Sequence, residues 1–201
     1  MKNKIPILLI YSRLIIGFVL ILLSYLKIEH YSIYSISLLT IGLLTDVFDG
    51  IIARHLNISN QQLRRLDSTI DQIFFISVAI ATYIQCPAFF ADNALKLIVL
   101  FSIEALTYIV SFVKFKREIA THSIGAKLWT LTIFATLIQV MAQCQSGILF
   151  NICFWSGIVT RIEIIAIIVI LKNWTNDVPT FYHAIKLKQG KTIKRHKLFN
   201  G

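Results

Sequence analysis

Long apolar segments, each close to the length of a membrane-spanning helix, alternate along the chain with short polar segments. A helix needs about 20 predominantly apolar residues to cross a bilayer. We predict six spans, the third interrupted at Cys86 and Pro87 and the fifth extended from Lys127: residues 7–26, 31–53, 66–89, 94–113, 128–142 and 147–171. The pattern predicts an all-α integral membrane protein, with a six-helix domain over residues 1–171 and a basic cytoplasmic tail over residues 172–201.

Composition and charge agree with a multi-pass membrane protein. Of the 201 residues, 56% are hydrophobic and 15% are charged, whereas soluble domains carry about 25% charged residues. The net charge of +10 would suggest a nucleic-acid partner in a soluble protein. In the six-span layout, however, sixteen lysines and arginines fall on one side of the membrane and two on the other. By the positive-inside rule both termini are cytoplasmic, and we expect a bacterial inner membrane and no nucleic-acid partner.

Two pairs of aspartates interrupt this apolar chain. Asp46 and Asp49 lie three residues apart near the end of the second span, and Asp67 and Asp71 lie four apart at the start of the third. Helical residues at these spacings share a face, so each helix offers a carboxylate pair at the cytoplasmic surface. Charges in membrane segments are costly and mark functional sites. Because hard divalent cations prefer oxygen ligands, the pairs predict a site for magnesium, manganese or calcium.

The residues that follow Asp49 suit a nucleotide diphosphate. Gly50 and Ala53 leave part of the second helix without large side chains, so a flat base can approach its backbone. Arg54 follows at the membrane surface, where its forked guanidinium can donate two hydrogen bonds to a diphosphate. A divalent cation held by the aspartates would add positive charge for the same phosphates.

These residues resemble the signature of the CDP-alcohol phosphatidyltransferases, D-x-x-D-G-x-x-A-R-(x)8–9-G-x-x-x-D-x-x-x-D. The sequence between Asp46 and Asp71 meets every fixed position except the second glycine, which is Leu63 here. In the family that glycine lets the nucleotide base pack close to the helix, and the isobutyl group of Leu63 fills part of that space. The six spans and the chain length also resemble this family, in particular the phosphatidylglycerophosphate and phosphatidylinositol-phosphate synthases.

The resemblance implies an enzyme of phospholipid biosynthesis that works as a homodimer in the lipid bilayer. It implies transfer of a phosphatidyl group from CDP-diacylglycerol to a small polar alcohol, with release of CMP. Asp71 would accept the proton of the attacking hydroxyl. The metal, Mg²⁺ or Mn²⁺, would be held by all four aspartates. The CDP group would be held by Asp46, Asp49, Gly50, Ala53 and Arg54.

Two alternatives stay open at this point. A CDP-linked headgroup, such as CDP-choline or CDP-ethanolamine, could be transferred to a lipid alcohol, because the same motif serves both polarities. A catalytically silent membrane homologue that keeps the metal site is the other alternative, because of Leu63. A divalent-cation transporter is disfavoured, since transporters place such charges near the bilayer midplane at broken helices of inverted repeats.

A basic segment between the fourth and fifth spans is the best place for an acceptor phosphate. Lys114, Arg117 and Lys127 lie in it, and we predict that they bind the acceptor, for which glycerol 3-phosphate or an inositol phosphate is our expectation. Phosphatidylglycerophosphate synthases carry a G-K-x-K-T-like stretch about here, and the stretch GAKLWT from Gly125 is loosely similar. The alternative is that these cations only set the membrane topology.

Further charged residues lie inside predicted spans, among them Arg13, Glu104, Arg161 and Glu163. Arg13, in the first span, can reach the cytoplasmic headgroups by snorkelling or can contact an anionic substrate. Glu104 in the fourth span and Arg161 in the sixth can pair between helices, which would offset the cost of each charge.

The three cysteines show no CxxC spacing, and all lie in or beside apolar segments: Cys86, Cys144 and Cys153. We interpret them as packing residues and expect no disulfide.

Overall fold

The fold is given by a computed structural model that describes residues 5–56, 58, 61–117, 123–175 and 177–193. Within these ranges four side chains are not described, those of Arg54, Gln61, Gln62 and Arg64. The described residues form eight helices and no strand: α1 (Ile5–Tyr25), α2 (Tyr31–His55), α3 (Gln61–Gln85), α4 (Pro87–Asp92), α5 (Ala94–Phe115), α6 (Ile124–Gln143), α7 (Ile148–Ile170) and α8 (Phe181–Lys188). The predicted all-α class is confirmed.

Five of the described helices are long and apolar enough to cross a bilayer, namely α1, most of α2, α5, α6 and α7. Large apolar side chains on α1, including Leu8, Ile15 and Phe18, are more than half exposed. Such a surface is typical of helices that face lipid. The chain is therefore an integral, multi-pass membrane protein. The first half of α3 is polar and charged, and this helix is not among the five, so the count of six spans is not confirmed.

The chain divides into two compact units, Met1–Phe90 with Ile138–Gln145 and Ala91–Leu137 with Ser146–Gly201. In the first unit α1 packs against both α2 and α3. Its buried residues recur every three or four positions and so form one stripe: Pro6, Ile10, Arg13, Gly17, Leu20 and Ser24. This spacing is that of a helix with one interior face.

Two glycines allow the helices of the first unit to approach closely. A Cβ on Gly17 of α1 would lie 3.0 Å from the Cβ of Ser77 on α3. A Cβ on Gly42 of α2 would overlap the ring of Phe74, a side chain of α3 that is almost fully buried. Small residues at helix interfaces are the usual means of close packing in membranes. Both α1 and α2 therefore meet α3 at positions where they carry no side chain.

A disulfide joins Cys86 to Cys144 in the first unit. The interpretation of these two cysteines as packing residues is therefore wrong, and their separation of 58 residues gave no local signal of pairing. Asp71 precedes the last residue of α3, Gln85, by fourteen positions, or about 21 Å along a helix. The disulfide thus lies at the end of α3 away from the aspartates. Cys153 is free and buried, as predicted.

In the second unit α7 packs against α5 and α8. Val178 and Ala184, from the segment after α7, are fully buried against Ile167 and Leu171. The short helix α8 was not predicted, because the sequence after residue 172 reads as polar and basic. Residues 194–201 of that segment lie outside the described part of the chain.

A charged pair inside the second unit confirms the hypothesis made for Glu104 and Arg161. Nη2 of Arg161 on α7 lies 2.5 Å from Oε2 of Glu104 on α5. The same guanidinium lies 4.7 Å from the ring centroid of Trp129. The Trp129 indole N–H donates to the carbonyl oxygen of Cys153 at 3.0 Å, and the absence of a side chain on Gly157 leaves room for the ring. The pair joins α5 to α7 and gives each charge a partner of opposite sign.

Candidate active site

Four carboxylates from two helices converge in the first unit. Asp46 and Asp49 share one face of α2, and Asp67 and Asp71 share one face of α3, as their spacings predict. One oxygen from each of Asp46, Asp49 and Asp67 can be chosen so that the three lie within 4.8 Å of one another. The structure thus brings together the four aspartates that the sequence predicts as metal ligands.

The side chain of Arg13 lies at the centre of this cluster. Its Nη1 donates to Asp46 Oδ1 at 2.7 Å and to Asp71 as well. Its Nη2 donates to Asp67 Oδ1 at 2.5 Å and to Asp49 as well. Each terminal nitrogen therefore bridges one carboxylate of α2 and one of α3, and α1 holds the two pairs together.

The cluster is closed on one side and open on the other. The Arg13 side chain is 0% exposed and that of Asp49 is 4% exposed. Asp46 is the most exposed of the four carboxylates, at 40%. Asp67 and Asp71 lie between these limits, at about 30% exposed. A ligand can therefore reach the carboxylates from outside while the guanidinium stays covered.

The snorkelling interpretation of Arg13 is wrong, because its side chain turns into the protein. A signal for this was present in the sequence. Arg13 lies on the same helical stripe as Gly17 and Ser24, and small or polar residues mark the protein-facing side of a membrane helix. Its contact with an anionic substrate, the second interpretation, stays a prediction.

The donor set fits a divalent cation of the Mg²⁺ or Mn²⁺ type. Every ligand it offers is a carboxylate oxygen, the donor these cations prefer. The three oxygens lie within 4.8 Å of one another, so they can contribute to one ion-binding site. The four carboxylates also already surround one positive group, the Arg13 guanidinium.

The residues predicted to hold the CDP group continue along α2 from the aspartates. Gly50 is half-buried and Ala53 is buried, one and four residues after Asp49. The side chain of Arg54 lies outside the described part of the structure. Leu63, which replaces the glycine of the motif, is half-buried on the first turn of α3.

The predicted acceptor-binding residues belong to the second unit. Lys114 Nζ donates to the carbonyl oxygens of Ile168 and Val169, at 3.0 and 2.6 Å, near the end of α7. A lysine there compensates the negative end of the helix dipole. The guanidinium of Arg117 lies 5.1 Å from the ring centroid of Trp174, and Lys127 is exposed on the first turn of α6. Lys114 and Arg117 thus have structural contacts within their own unit.

Comparison with known proteins places the chain in a family. A family model for CDP-alcohol phosphatidyltransferase matches residues 3–181, which include Arg13 and all four aspartates. No curated protein and no solved structure matches the chain significantly. The family transfers a phosphatidyl group from a CDP-alcohol in phospholipid synthesis, and this agrees with a carboxylate site in a membrane protein. The chain therefore belongs to the CDP-alcohol phosphatidyltransferase family and is a phosphotransferase enzyme.

Proposed function

We propose that this enzyme transfers the phosphatidyl group of CDP-diacylglycerol to a small polar alcohol and releases CMP. The observation that carries the proposal is the convergence of two carboxylate pairs, inside the family motif, on the position that the Arg13 guanidinium fills. Glycerol 3-phosphate or an inositol phosphate is the proposed acceptor, as in the phosphatidylglycerophosphate and phosphatidylinositol-phosphate synthases that the motif resembles. The basic segment with Lys114, Arg117 and Lys127 supports an acceptor that carries a phosphate.

Mg²⁺ or Mn²⁺ is the proposed cofactor, held by Asp46, Asp49, Asp67 and Asp71. When bound, such an ion neutralises charge on the diphosphate and on the departing CMP. Gly50 and Ala53 lie just beyond the ligands on α2, where they leave room for the cytidine. Together with Arg54, Asp46 and Asp49 they form the proposed CDP site.

Asp71 is the proposed general base. Its carboxylate takes the proton of the acceptor hydroxyl, and the hydroxyl oxygen bonds to the phosphorus that carries the diacylglycerol. The bond between that phosphorus and the CMP oxygen breaks, and its electron pair leaves on the phosphate of CMP. The products are a phosphodiester-linked lipid, CMP and one proton. The partial exposure of the Asp71 side chain supports this role, because the acceptor must reach it.

The proposed topology has six spans, with both termini and the aspartates on the cytoplasmic side of a bacterial inner membrane. In this topology α3 is the span that is added to the five apolar helices, since apolar residues predominate from Ile73 to the end of α3. The disulfide at the opposite end of α3 supports this orientation, because disulfides persist in oxidising compartments. A catalytic domain over residues 1–171, a basic tail over residues 172–201 and a homodimer complete the proposal.

CMP release from the detergent-purified protein with Mn²⁺ or Mg²⁺ tests the proposal. One arm supplies CDP-diacylglycerol with single alcohols, glycerol 3-phosphate and inositol phosphate among them. A second arm supplies CDP-choline or CDP-ethanolamine with diacylglycerol. Release with one alcohol, abolished by Asp71→Asn and kept by Asp92→Asn on the exposed end of α4, supports the proposal and names the acceptor. CMP release in the second arm alone would mean that the enzyme transfers a CDP-linked headgroup to a lipid alcohol. No CMP release from folded protein in either arm would identify a catalytically silent homologue.

A further inference from the structure

The guanidinium of Arg13 is buried among the four carboxylates of the proposed metal centre. Nη1 and Nη2 of Arg13 use the same four carboxylates that would hold the cation, and each nitrogen takes one carboxylate from α2 and one from α3. The side chain is 0% exposed, so no water replaces these contacts. The proposed site for a divalent cation and the site of the guanidinium are therefore made of the same carboxylates.

Electrostatics make the two cations compete for these carboxylates. A divalent ion lies about 2.0–2.6 Å from its carboxylate ligands, whereas Arg13 already donates to Asp46 and Asp67 at 2.7 and 2.5 Å. Two positive groups within a few ångströms of each other repel strongly where little water screens them. Without any cation, the four carboxylates would repel one another in the same way.

We propose that Arg13 is the resident counter-ion of the metal-free site and that a divalent cation binds by displacing its guanidinium. The inference rests on the proposed metal centre. Arg13 is then a positioning residue: it holds the carboxylates of α2 and α3 together until the metal arrives. Because binding has to break the contacts of Arg13, the residue also lowers the affinity of the site for metal.

Two additional features of α1 support this exchange. Gly17 lies one turn beyond Arg13 and packs against Ser77 of α3, so the backbone of α1 is anchored next to the cluster. The Nε of Arg13 has no hydrogen-bond partner among the described residues, so only the two terminal nitrogens hold the guanidinium in place.

Equilibrium binding of Mn²⁺ to the detergent-purified protein, followed by the electron paramagnetic resonance of free Mn²⁺, tests the proposal. Arg13→Gln should bind Mn²⁺ about tenfold more tightly than the wild type, within the range typical of coupled binding events. Arg13→Lys keeps one charge on a single nitrogen and should fall between the two. Arg161→Gln is the matched control, because Arg161 also pairs with a carboxylate inside a helix bundle but in the second unit. It should bind Mn²⁺ like the wild type.

Thermal unfolding distinguishes this role from that of an arginine that only stabilises the fold, because only the proposed role makes the loss of stability depend on Mn²⁺. In the presence of EDTA, Arg13→Gln should unfold at a lower temperature than the wild type, and saturating Mn²⁺ should remove the difference. Arg161→Gln should show the same deficit with and without Mn²⁺.

Three outcomes are decisive. Tighter Mn²⁺ binding by Arg13→Gln, or by Arg13→Lys if the glutamine variant does not fold, supports the exchange. Unchanged or weaker binding by both variants, with a wild type that binds Mn²⁺, overturns the exchange and leaves the proposed function intact. No Mn²⁺ binding by the wild type or by either variant overturns the metal centre and the exchange together.

Discussion

The ring of Phe74 on α3 lies against the α-carbon of Gly42 on α2, where a Cβ would overlap it. Phe74 comes three residues after Asp71, and Gly42 comes four before Asp46. The contact therefore lies about one helical turn from both carboxylate pairs. It is a point at which the two helices that carry the proposed ligands touch.

Replacement of Gly42 by leucine should separate α2 from α3 and abolish CMP release. Overpacking of this kind costs about 1–3 kcal/mol, so the unfolding temperature should fall as well. Gly147→Leu is the matched control, because a Cβ at Gly147 meets nothing within 4 Å. Equal rates of CMP release by the two variants would show that the Phe74 contact does not position the carboxylates.

Restoration of the motif glycine should improve use of the donor. Leu63→Gly removes an isobutyl group that fills part of the space available to the cytidine, so we expect a lower KM for the CDP-linked donor and unchanged Mn²⁺ affinity. Glycine inside a helix costs about 1 kcal/mol relative to alanine. Leu66→Gly, at a half-buried position of the same helix, controls for that cost. A KM unchanged by Leu63→Gly would mean that the base does not approach this turn of α3.

Loss of the disulfide should destabilise the protein without removing its metal site. For cysteines 58 positions apart, the loss of chain entropy in the unfolded state predicts a stabilisation of about 4 kcal/mol. The double variant Cys86→Ser and Cys144→Ser should unfold at a lower temperature than the wild type and bind Mn²⁺ normally. Cys153→Ser, which alters a free thiol, is the control. An unfolding temperature unchanged by the double substitution would argue against this bond.

Substitutions of Glu104 and Arg161 should have non-additive effects on the free energy of unfolding. Loss of either partner leaves a mostly buried charge without its counter-ion, at a cost of about 3–5 kcal/mol. The double variant Glu104→Gln and Arg161→Gln should therefore be more stable than the sum of the single losses predicts. A double-mutant cycle on unfolding free energies measures this coupling, and strictly additive losses would contradict the pair.

Most of the helical layout could be predicted from sequence, because apolar segments of membrane length leave little choice of secondary structure. The two aspartate pairs were equally accessible, since spacings of three and four residues on a helix fix a shared face. The break after α3 also matches its prediction, because Pro87 begins a new helix, α4. These features depend on local sequence alone.

The features that were missed depend on contacts between distant parts of the chain. Arg13 reaches carboxylates 33 to 58 positions away, and no local pattern shows which helices α1 will pack against. The pairing of Cys86 with Cys144 requires that the ends of α3 and α6 meet, which spacing alone cannot reveal. α8 is stabilised by the burial of Ala184 against α7, whereas its own sequence is short and basic.

The central claim is that the four aspartates form a divalent-metal centre, and Mn²⁺ binding to aspartate variants tests it most directly. The account predicts that the wild type binds Mn²⁺ and that Asp67→Asn, which removes one of the three closest ligands, weakens binding by about tenfold or more. Asp92→Asn, which alters an exposed aspartate on α4, should bind Mn²⁺ like the wild type. Wild-type affinity in Asp67→Asn, or no binding by any of the three proteins, would contradict the metal centre.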